Sequence, residues 1–341
     1  MGVTIKRIAE LAGTSKSTAD RALKGRPGIK DEIRERVLEI AKRSQYKPNS
    51  IGKALRMQKS SMRIAVVFHW GVFEEQLRDG LLRAESEFYD YGVRLEFRDL
   101  KTRSFEEQNK MLVSLIDSGV SGVIIKLMRH PRIIKAVNAL EDSGIPVVTI
   151  SSDLPDSRRF CFIGQNYLQS GRVAGSLMDT ALGGGGNVVI FQESMDFEAY
   201  TQREQGVTEV LRERGRKIRL RSCVCPGEGL PENYDFARAV VKKYPRTDGI
   251  VCTGISYPLI AQAVADAGRK DIKFIGFDIF ADTVRLMEEG VVDFAISQDP
   301  FNEGYESVRI LFQRQFNGTG KTVHIHNMPI GIHEWESMRP Q

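Results

Sequence analysis

Residues 3–25 read Val3-Thr4-Ile5-Lys6-Arg7-Ile8-Ala9-Glu10-Leu11-Ala12-Gly13-Thr14-Ser15-Lys16-Ser17-Thr18-Ala19-Asp20-Arg21-Ala22-Leu23-Lys24-Gly25, and their spacing decides the fold of the head of this 341-residue chain. Thr4 is placed to cap a helix whose apolar positions Ile5, Ile8, Ala9 and Ala12 recur at helical intervals, and Gly13 tolerates the positive φ of a sharp turn. Ser15 is a second capping position. Beyond it, Ala19, Ala22 and Leu23 form another apolar stripe that stops at Gly25 and Pro27. Small side chains let two such helices cross closely, so the pattern predicts a helix-turn-helix. A third helix is expected from Asp31, with Ile33, Val37, Leu38 and Ala41 inward and Arg34, Arg36, Lys42 and Arg43 outward. Asp31 and Glu32 suit its N-terminal dipole. The three helices form a small all-α domain over residues 1–46.

Charge divides the chain at nearly the same place. Residues 1–63 hold 16 Lys and Arg against six Asp and Glu, a net of +10, which leaves −5 for residues 64–341 out of the overall +5. A basic head on an acidic body points to a polyanionic partner for the head, because clustered Lys and Arg release counterions from phosphates. Lys16, Ser17 and Arg21 share the exposed face of the second helix near its start. The Arg21 guanidinium matches O6 and N7 of guanine, and Lys16 suits phosphate as well as a base. Residues 47–61 read as a hinge linker of one or two helical turns, too short to be stable alone. Its Leu55 has no core to enter.

Val3-Thr4-Ile5, Ile8-Ala9, Ala12-Gly13, Ser15, Thr18, Arg21-Ala22-Leu23, Gly25 and Tyr46-x-Pro48-Asn49 together resemble the LacI-type (LacI/GalR) regulator family. The resemblance implies that Arg21 reads a guanine and that Lys16 and Ser17 contact bases. It implies that Thr4, Tyr46 and Asn49 touch the backbone or minor groove, and that Leu55 wedges between central base pairs. The implied partner is near-palindromic double-stranded DNA, bound by a homodimer or tetramer. Ala19-Asp20 departs from the family's usual Val-Ser.

The body, residues 62–341, alternates short apolar runs with amphipathic segments, as in Ile64–Phe68, Gln76–Phe88 and Val93–Phe97, which predicts parallel βαβ units. Gly122-Val123-Ile124-Ile125 is echoed by Gly249-Ile250-Val251-Cys252, a separation of 127 residues that argues for a duplicated α/β lobe. Two doubly wound parallel-sheet lobes are therefore expected, one over about 62–158 plus 300–322 and the other over about 160–298 plus 323–338. Such sheets place a ligand cleft at the carboxyl ends of their strands. The loop residues there are His69, Trp70, Phe73, Asp153, Thr253, Asp278 and Gln298, a set of aromatic, amide and carboxylate groups suited to a small polyhydroxylated ligand. A core role for Trp70 or Phe73, and helix capping for Asp278, are the competing readings.

The body also resembles the sugar-binding half of the same family and the periplasmic ribose-type binding proteins. On that resemblance Arg203 matches a sugar-hydroxyl-binding arginine, and Asp278 and Gln298 match further ligand residues. Thr253-Gly254 and Ser151-Ser152 depart from the family's usual Asn-Asp and Asp, and Asp153 is the carboxylate placed to compensate. A purine-type effector is the minority alternative to a sugar.

Cys161, Cys223, Cys225 and Cys252 make neither a disulfide framework nor a zinc spacing, and His324-x-His326 falls on a strand face, so buried thiols and no metal are expected. Gly183–Gly186 precedes a strand and reads as a turn, not a phosphate loop. With no catalytic constellation, cofactor motif, secretory signal or membrane span in view, the sequence points to a cytoplasmic, effector-controlled DNA-binding regulator. The alternative is a cytosolic sugar-binding receptor or sugar-modifying enzyme whose basic head binds another protein.

Overall fold

Thr4 caps the first helix as its position suggests, its hydroxyl accepting from the Arg7 N–H at 3.3 Å, and α1 spans Ile5–Leu11. This computed structural model describes residues 3–23, 25, 27–44, 61–69, 71–102, 104–214, 217–317 and 324–338. Tyr46, Asn49, Leu55 and Trp70 lie outside the described residues. The chain forms two units, Met1–Arg56 and Met57–Gln341.

In the first unit Gly13 takes φ +63°, and the Ser15 hydroxyl accepts from the Thr18 N–H at 3.0 Å to start α2 (Lys16–Leu23). Ile8, Ala9, Ala12, Ala19, Ala22 and Val37 form the core, closed by α3 (Asp31–Arg43). Leu38 faces outward instead of inward, at 45% exposure. Ile33, Val37, Ile40 and Ala41 fill the inward stripe of α3, and Leu38 sits a full helical step of about 100° beyond Val37.

The second unit holds two six-stranded sheets. The first contains β1 (Met62–Phe68), β2 (Val93–Asp99), β3 (Gly122–Ile125), β4 (Val147–Ile150), β5 (Cys161–Gln165) and β11 (His324–Met328), in the order β11-β5-β4-β3-β1-β2 and parallel throughout. The second contains β6 (Gly185–Gln192), β7 (Lys217–Val224), β8 (Gly249–Cys252), β9 (Lys273–Phe277), β10 (Phe294–Ser297) and β12 (Gly331–His333), in the order β12-β10-β9-β8-β6-β7, with only β12 antiparallel. Apolar clusters on both faces of each sheet explain why the inner strands are continuous apolar runs. The echoed runs Gly122–Ile125 and Gly249–Cys252 are β3 and β8, which occupy the same place in their sheets.

The lobe boundaries differ from the sequence reading. Cys161–Gln165 and residues 324–328, expected in the second lobe, both belong to the first sheet, because β5 pairs with β4 (Val148 opposite Cys161) and β11 pairs with β5. The chain therefore leaves the first lobe at Gln165. It crosses three times: from β5 into α7 (Tyr167–Ala181), from β10 into α12 (Pro300–Asn317), and between β11 and β12. The buried Gln165 side chain ties these crossings, its amide nitrogen donating to the Ser297 carbonyl at 2.7 Å and to the Pro329 carbonyl at 3.0 Å.

Each lobe also contains one helix pair pressed together at glycines. In the first lobe α4 (Val72–Phe88) packs on α12, and a Cβ at Gly80 would stand 1.8 Å from the Phe301 carbonyl oxygen. In the second lobe α7 packs on α8 (Glu198–Glu213), and a Cβ at Gly206 would stand 2.2 Å from the Leu168 carbonyl oxygen. Neither clash is with a side chain that could swing away. Gly80→Ala should therefore lower the body's stability by about 1–3 kcal/mol, read as a reduced urea midpoint. An unchanged midpoint would show that the crossing is not tight.

Candidate functional site

On the head, burial of Ala19 and Ala22 turns the opposite side of α2 to solvent, and Lys16, Ser17 and Arg21 all stand exposed on it, as does Thr4 at the start of α1. The Arg21 guanidinium folds back to donate to the Pro27 carbonyl at 2.8 Å. It is thus held near the turn after α2 by one exposed hydrogen bond, which leaves most of its donors for a partner.

In the body, the sheet order reverses beside β1 and β6, and a cavity opens at the carboxyl ends of the strands around those points. Its lining includes Phe73, Lys126, Ser151, Ser152, Phe197, Tyr200, Arg203, Asp278 and Gln298, drawn from both lobes.

The first-lobe wall begins with Lys126, which directly follows β3. Its ammonium lies 2.6 Å from Glu74 Oε1 on α4 and 4.7 Å from the centre of the Phe73 ring. Burial opposes the lysine's charge, but the carboxylates of Glu74 and Glu228 outweigh it and hold the pKa above the ordinary lysine value. Ser151, at the end of β4, has φ +56°. Its hydroxyl donates to Glu303 of α12, and its carbonyl accepts from the Tyr167 hydroxyl at 2.6 Å.

The second-lobe wall centres on Arg203 of α8, which is 1% exposed. Its guanidinium packs against two rings, 4.3 Å from the centre of Phe277 and 5.1 Å from that of Tyr167. Nη1 donates to the Thr253 carbonyl at 2.8 Å and is 3.8 Å from Asp278 Oδ2, whereas Nε and Nη2 have no hydrogen-bond partner among the described residues. Asp278 follows β9 with φ +74° and accepts from the Gln298 amide at 2.8 Å, while Gln298 Oε1 accepts from Tyr167 at 3.1 Å. Burial raises the Asp278 pKa against the opposing pull of Arg203. The helix that follows, α11 (Thr283–Glu288), has Asp282 at its N-cap position, which removes the capping alternative for Asp278.

Phe73, Arg203, Asp278 and Gln298 thus meet as the sequence suggested, and three other residues do not join them. Asp153 is engaged by Arg159 through a two-pronged salt bridge and also accepts from Thr149 at 3.0 Å, so its carboxylate anchors the loop after β4 instead of facing the cavity. Thr253 stands behind Arg203: its carbonyl holds the guanidinium, and its hydroxyl accepts from the Glu193 N–H at 3.1 Å. His69 directly follows β1, half-buried, and does not line the cavity. Sequence reading missed Lys126, Phe197 and Tyr200. Of these, Lys126 carried a signal, a charged residue ending an apolar strand at the switch point.

Comparison with known proteins agrees with this architecture. Residues 64–318 match the periplasmic binding protein domain, and residues 4–49 match the bacterial regulatory proteins of the lacI family. The chain belongs to the periplasmic binding protein domain family over its body, and its head matches the lacI-family regulatory domain. It is 29% identical over 217 residues to the probable HTH-type transcriptional repressor ExuR of Bacillus subtilis, an alignment that covers 61% of this chain and 60% of that protein. The HTH-type transcriptional regulator RegA of Clostridium saccharobutylicum is 23% identical over 92% of both chains. Among solved structures, the glucose-galactose binding protein GanP of Geobacillus stearothermophilus superposes with a TM-score of 0.74 at 22% identity, covering 82% of this chain and 99% of that one. A putative LacI transcriptional regulator from Bacteroides fragilis gives 0.72 at 18% identity, covering 81% and 98%.

Glu303 supplies a pH test of the site's inner wall. Burial pushes its carboxyl up to about 8, against the hydrogen bond from Ser151, and Asp278 adds to the rise while Lys126 and Arg203 oppose it. The folded state therefore keeps a proton that the unfolded state releases, so this contribution to stability is intact below the ordinary carboxylate range and is lost as pH rises to about 8. The slope should approach about 1.4 kcal/mol per pH unit. Thermal melts of the body should fall between those limits, and Glu303→Gln should flatten the profile. Parallel profiles for the two proteins would refute the assignment.

Proposed function

We propose that the chain is a dimeric, effector-controlled repressor of carbohydrate genes. The observation that carries this reading is the joining of a LacI-type head, with Lys16, Ser17 and Arg21 exposed on α2, to a two-lobed body whose cavity holds the buried Arg203. Relatives named as repressors support it, among them the sucrose operon repressor of Klebsiella pneumoniae, 34% identical over 37% of this chain and 34% of that protein. Two heads of a dimer would read the half-sites of a near-palindrome, with Arg21 on a guanine, Lys16 and Ser17 at neighbouring bases, and Thr4, Tyr46 and Asn49 on the backbone or minor groove. Leu55 would wedge at the centre. A sugar-like effector bound to Arg203, Asp278, Gln298 and Phe73 would change operator affinity only by binding the DNA-competent and incompetent states unequally. Among the described residues no helix is long and apolar enough to cross a membrane.

Footprinting on DNA upstream of sugar-utilisation genes should reveal a protected near-palindrome. Arg21→Ala should weaken that binding by about 1–3 kcal/mol and relax preference at one base pair, and the affinity should fall steeply with salt. DNA affinity indifferent to Arg21→Ala and to salt would overturn the proposal.

A further inference from the structure

We infer that the cleft takes a sugar acid, a polyhydroxylated ligand whose carboxylate docks on the open Nε and Nη2 edge of Arg203. This deepens the reading of the body as a sugar-type sensor and rests on it.

The first ground is geometric. Nε–H and the adjacent N–H of Nη2 lie side by side along one edge of a guanidinium, at the spacing of the two oxygens of a carboxylate. In Arg203 both nitrogens are buried and unbonded, while the remaining nitrogen, Nη1, is committed to the Thr253 carbonyl. The rings of Phe277 and Tyr167 pack 4.3 and 5.1 Å from the guanidinium carbon and the Thr253 carbonyl holds Nη1, so the Nε and Nη2 edge is where a partner can bind.

The second ground is the balance of donors and acceptors. Besides the Arg203 edge, the lining offers Lys126, which has three donors and one hydrogen bond to Glu74, and the unpartnered buried hydroxyl of Ser152. Of the acceptors, Asp278 Oδ1 is taken by Gln298 and Glu74 Oε1 by Lys126, while the Tyr167 hydroxyl, with a single proton to give, lies 2.6 Å from the Ser151 carbonyl oxygen and 3.1 Å from Gln298 Oε1. A neutral sugar brings a hydrogen with every hydroxyl oxygen and would need a matching supply of acceptors. A carboxylate brings only acceptors, and Asp278 Oδ2 remains to receive one hydroxyl of the same ligand.

The third ground is charge. Lys126 and Arg203 each bring a positive charge to the cavity, partly offset by Glu74 at 2.6 Å and Asp278 at 3.8 Å, and Glu303, hydrogen-bonded to Ser151, keeps its proton at neutral pH. It therefore adds no negative charge to repel an anion.

Calorimetry on the full chain tests the inference, using D-glucuronate, D-galacturonate and D-gluconate beside D-glucose, D-galactose and the methyl esters of both uronates. One acid should bind at least about tenfold tighter than its neutral parent or its ester, since only the acid supplies two charged acceptors to the fork. Arg203→Lys, which keeps the charge and loses the fork, should cut acid affinity by at least about tenfold and leave the neutral sugars' affinity less affected. The ester comparison uses the unaltered protein and decides the matter even if that variant fails to fold. A neutral sugar or ester binding as tightly as its acid would overturn the sugar-acid inference and leave the sensor reading standing. If no sugar of either kind bound, both would fall.

Discussion

A guanidinium 1% exposed, with two of its three nitrogens unbonded, is the constraint on which the body's architecture depends. Removing such a charge from water costs several kcal/mol unless the surroundings compensate. Here the compensation comes from the rings of Phe277 and Tyr167, the Thr253 carbonyl, and the Asp278 carboxylate 3.8 Å away. They arrive on three elements, α7, β8 and β9, so Arg203 of α8 is held only if all of these are in place. The helix crossing that sets its position is equally specific: a Cβ at Gly171 would stand 2.1 Å from the carbonyl oxygen of Arg203 itself. Helix packing and the chemistry of the cleft are therefore one requirement.

The two sheets, alike in strand order, also share a pair of strained corners. Ser151 and Asp278 are two of three non-glycine residues with positive φ among the described residues, and each follows an equivalent strand, β4 or β9. They are 127 residues apart, as are Gly122 of β3 and Gly249 of β8. Such a conformation costs on the order of 1–3 kcal/mol for a residue with a Cβ and persists only where surrounding contacts over-determine it. The contacts are present: Ser151 is tied to Glu303 and Tyr167, and Asp278 to Gln298. Tyr167 touches both corners, through the Ser151 carbonyl on one side and Gln298 on the other. A continuous polar path thus runs between the lobes beside Arg203.

What the sequence disclosed follows from how local each feature is. The head was legible because caps, turn glycine and apolar stripe all act within a few residues, and only Leu38 was misplaced. The alternation of strands and helices and the 127-residue echo likewise survive in sequence order. The exchange of β5 and β11 into the first sheet was not legible, because it depends on pairings between distant segments that leave no periodic trace. Asp153 shows the same limit at the level of one residue. Its carboxylate sits where a ligand group was expected, yet Arg159, six positions later, takes both of its oxygens. Arg203, buried in the middle of a helix, has no local pattern at all and was visible only through family resemblance.

The lobes meet across the cleft mouth through few and exposed bonds. The Arg129 N–H donates to the Asp196 carbonyl at 2.9 Å, its guanidinium reaches Glu198 at 3.0 Å, and the Gln76 amide reaches the Ile279 carbonyl at 3.3 Å. Each is worth about 0.5–1.5 kcal/mol net, so closure by these contacts alone amounts to a few kcal/mol. At the hinge, by contrast, Gln165 binds two of the other crossing strands from a buried position. The firm point of the body is the hinge and the weak point is the mouth. A ligand that touches Lys126 on one lobe and Arg203 on the other adds its binding energy to the closed state alone, and a few kcal/mol of such preference is enough to reverse a balance of this size. Each of the two cations already has a carboxylate beside it, Glu74 at 2.6 Å from Lys126 and Asp278 at 3.8 Å from Arg203, so a ligand that bridges the lobes must satisfy these pairs as it binds. The placement of Lys126 and Arg203 would therefore make the charge of the ligand, as well as its hydroxyls, a determinant of closure.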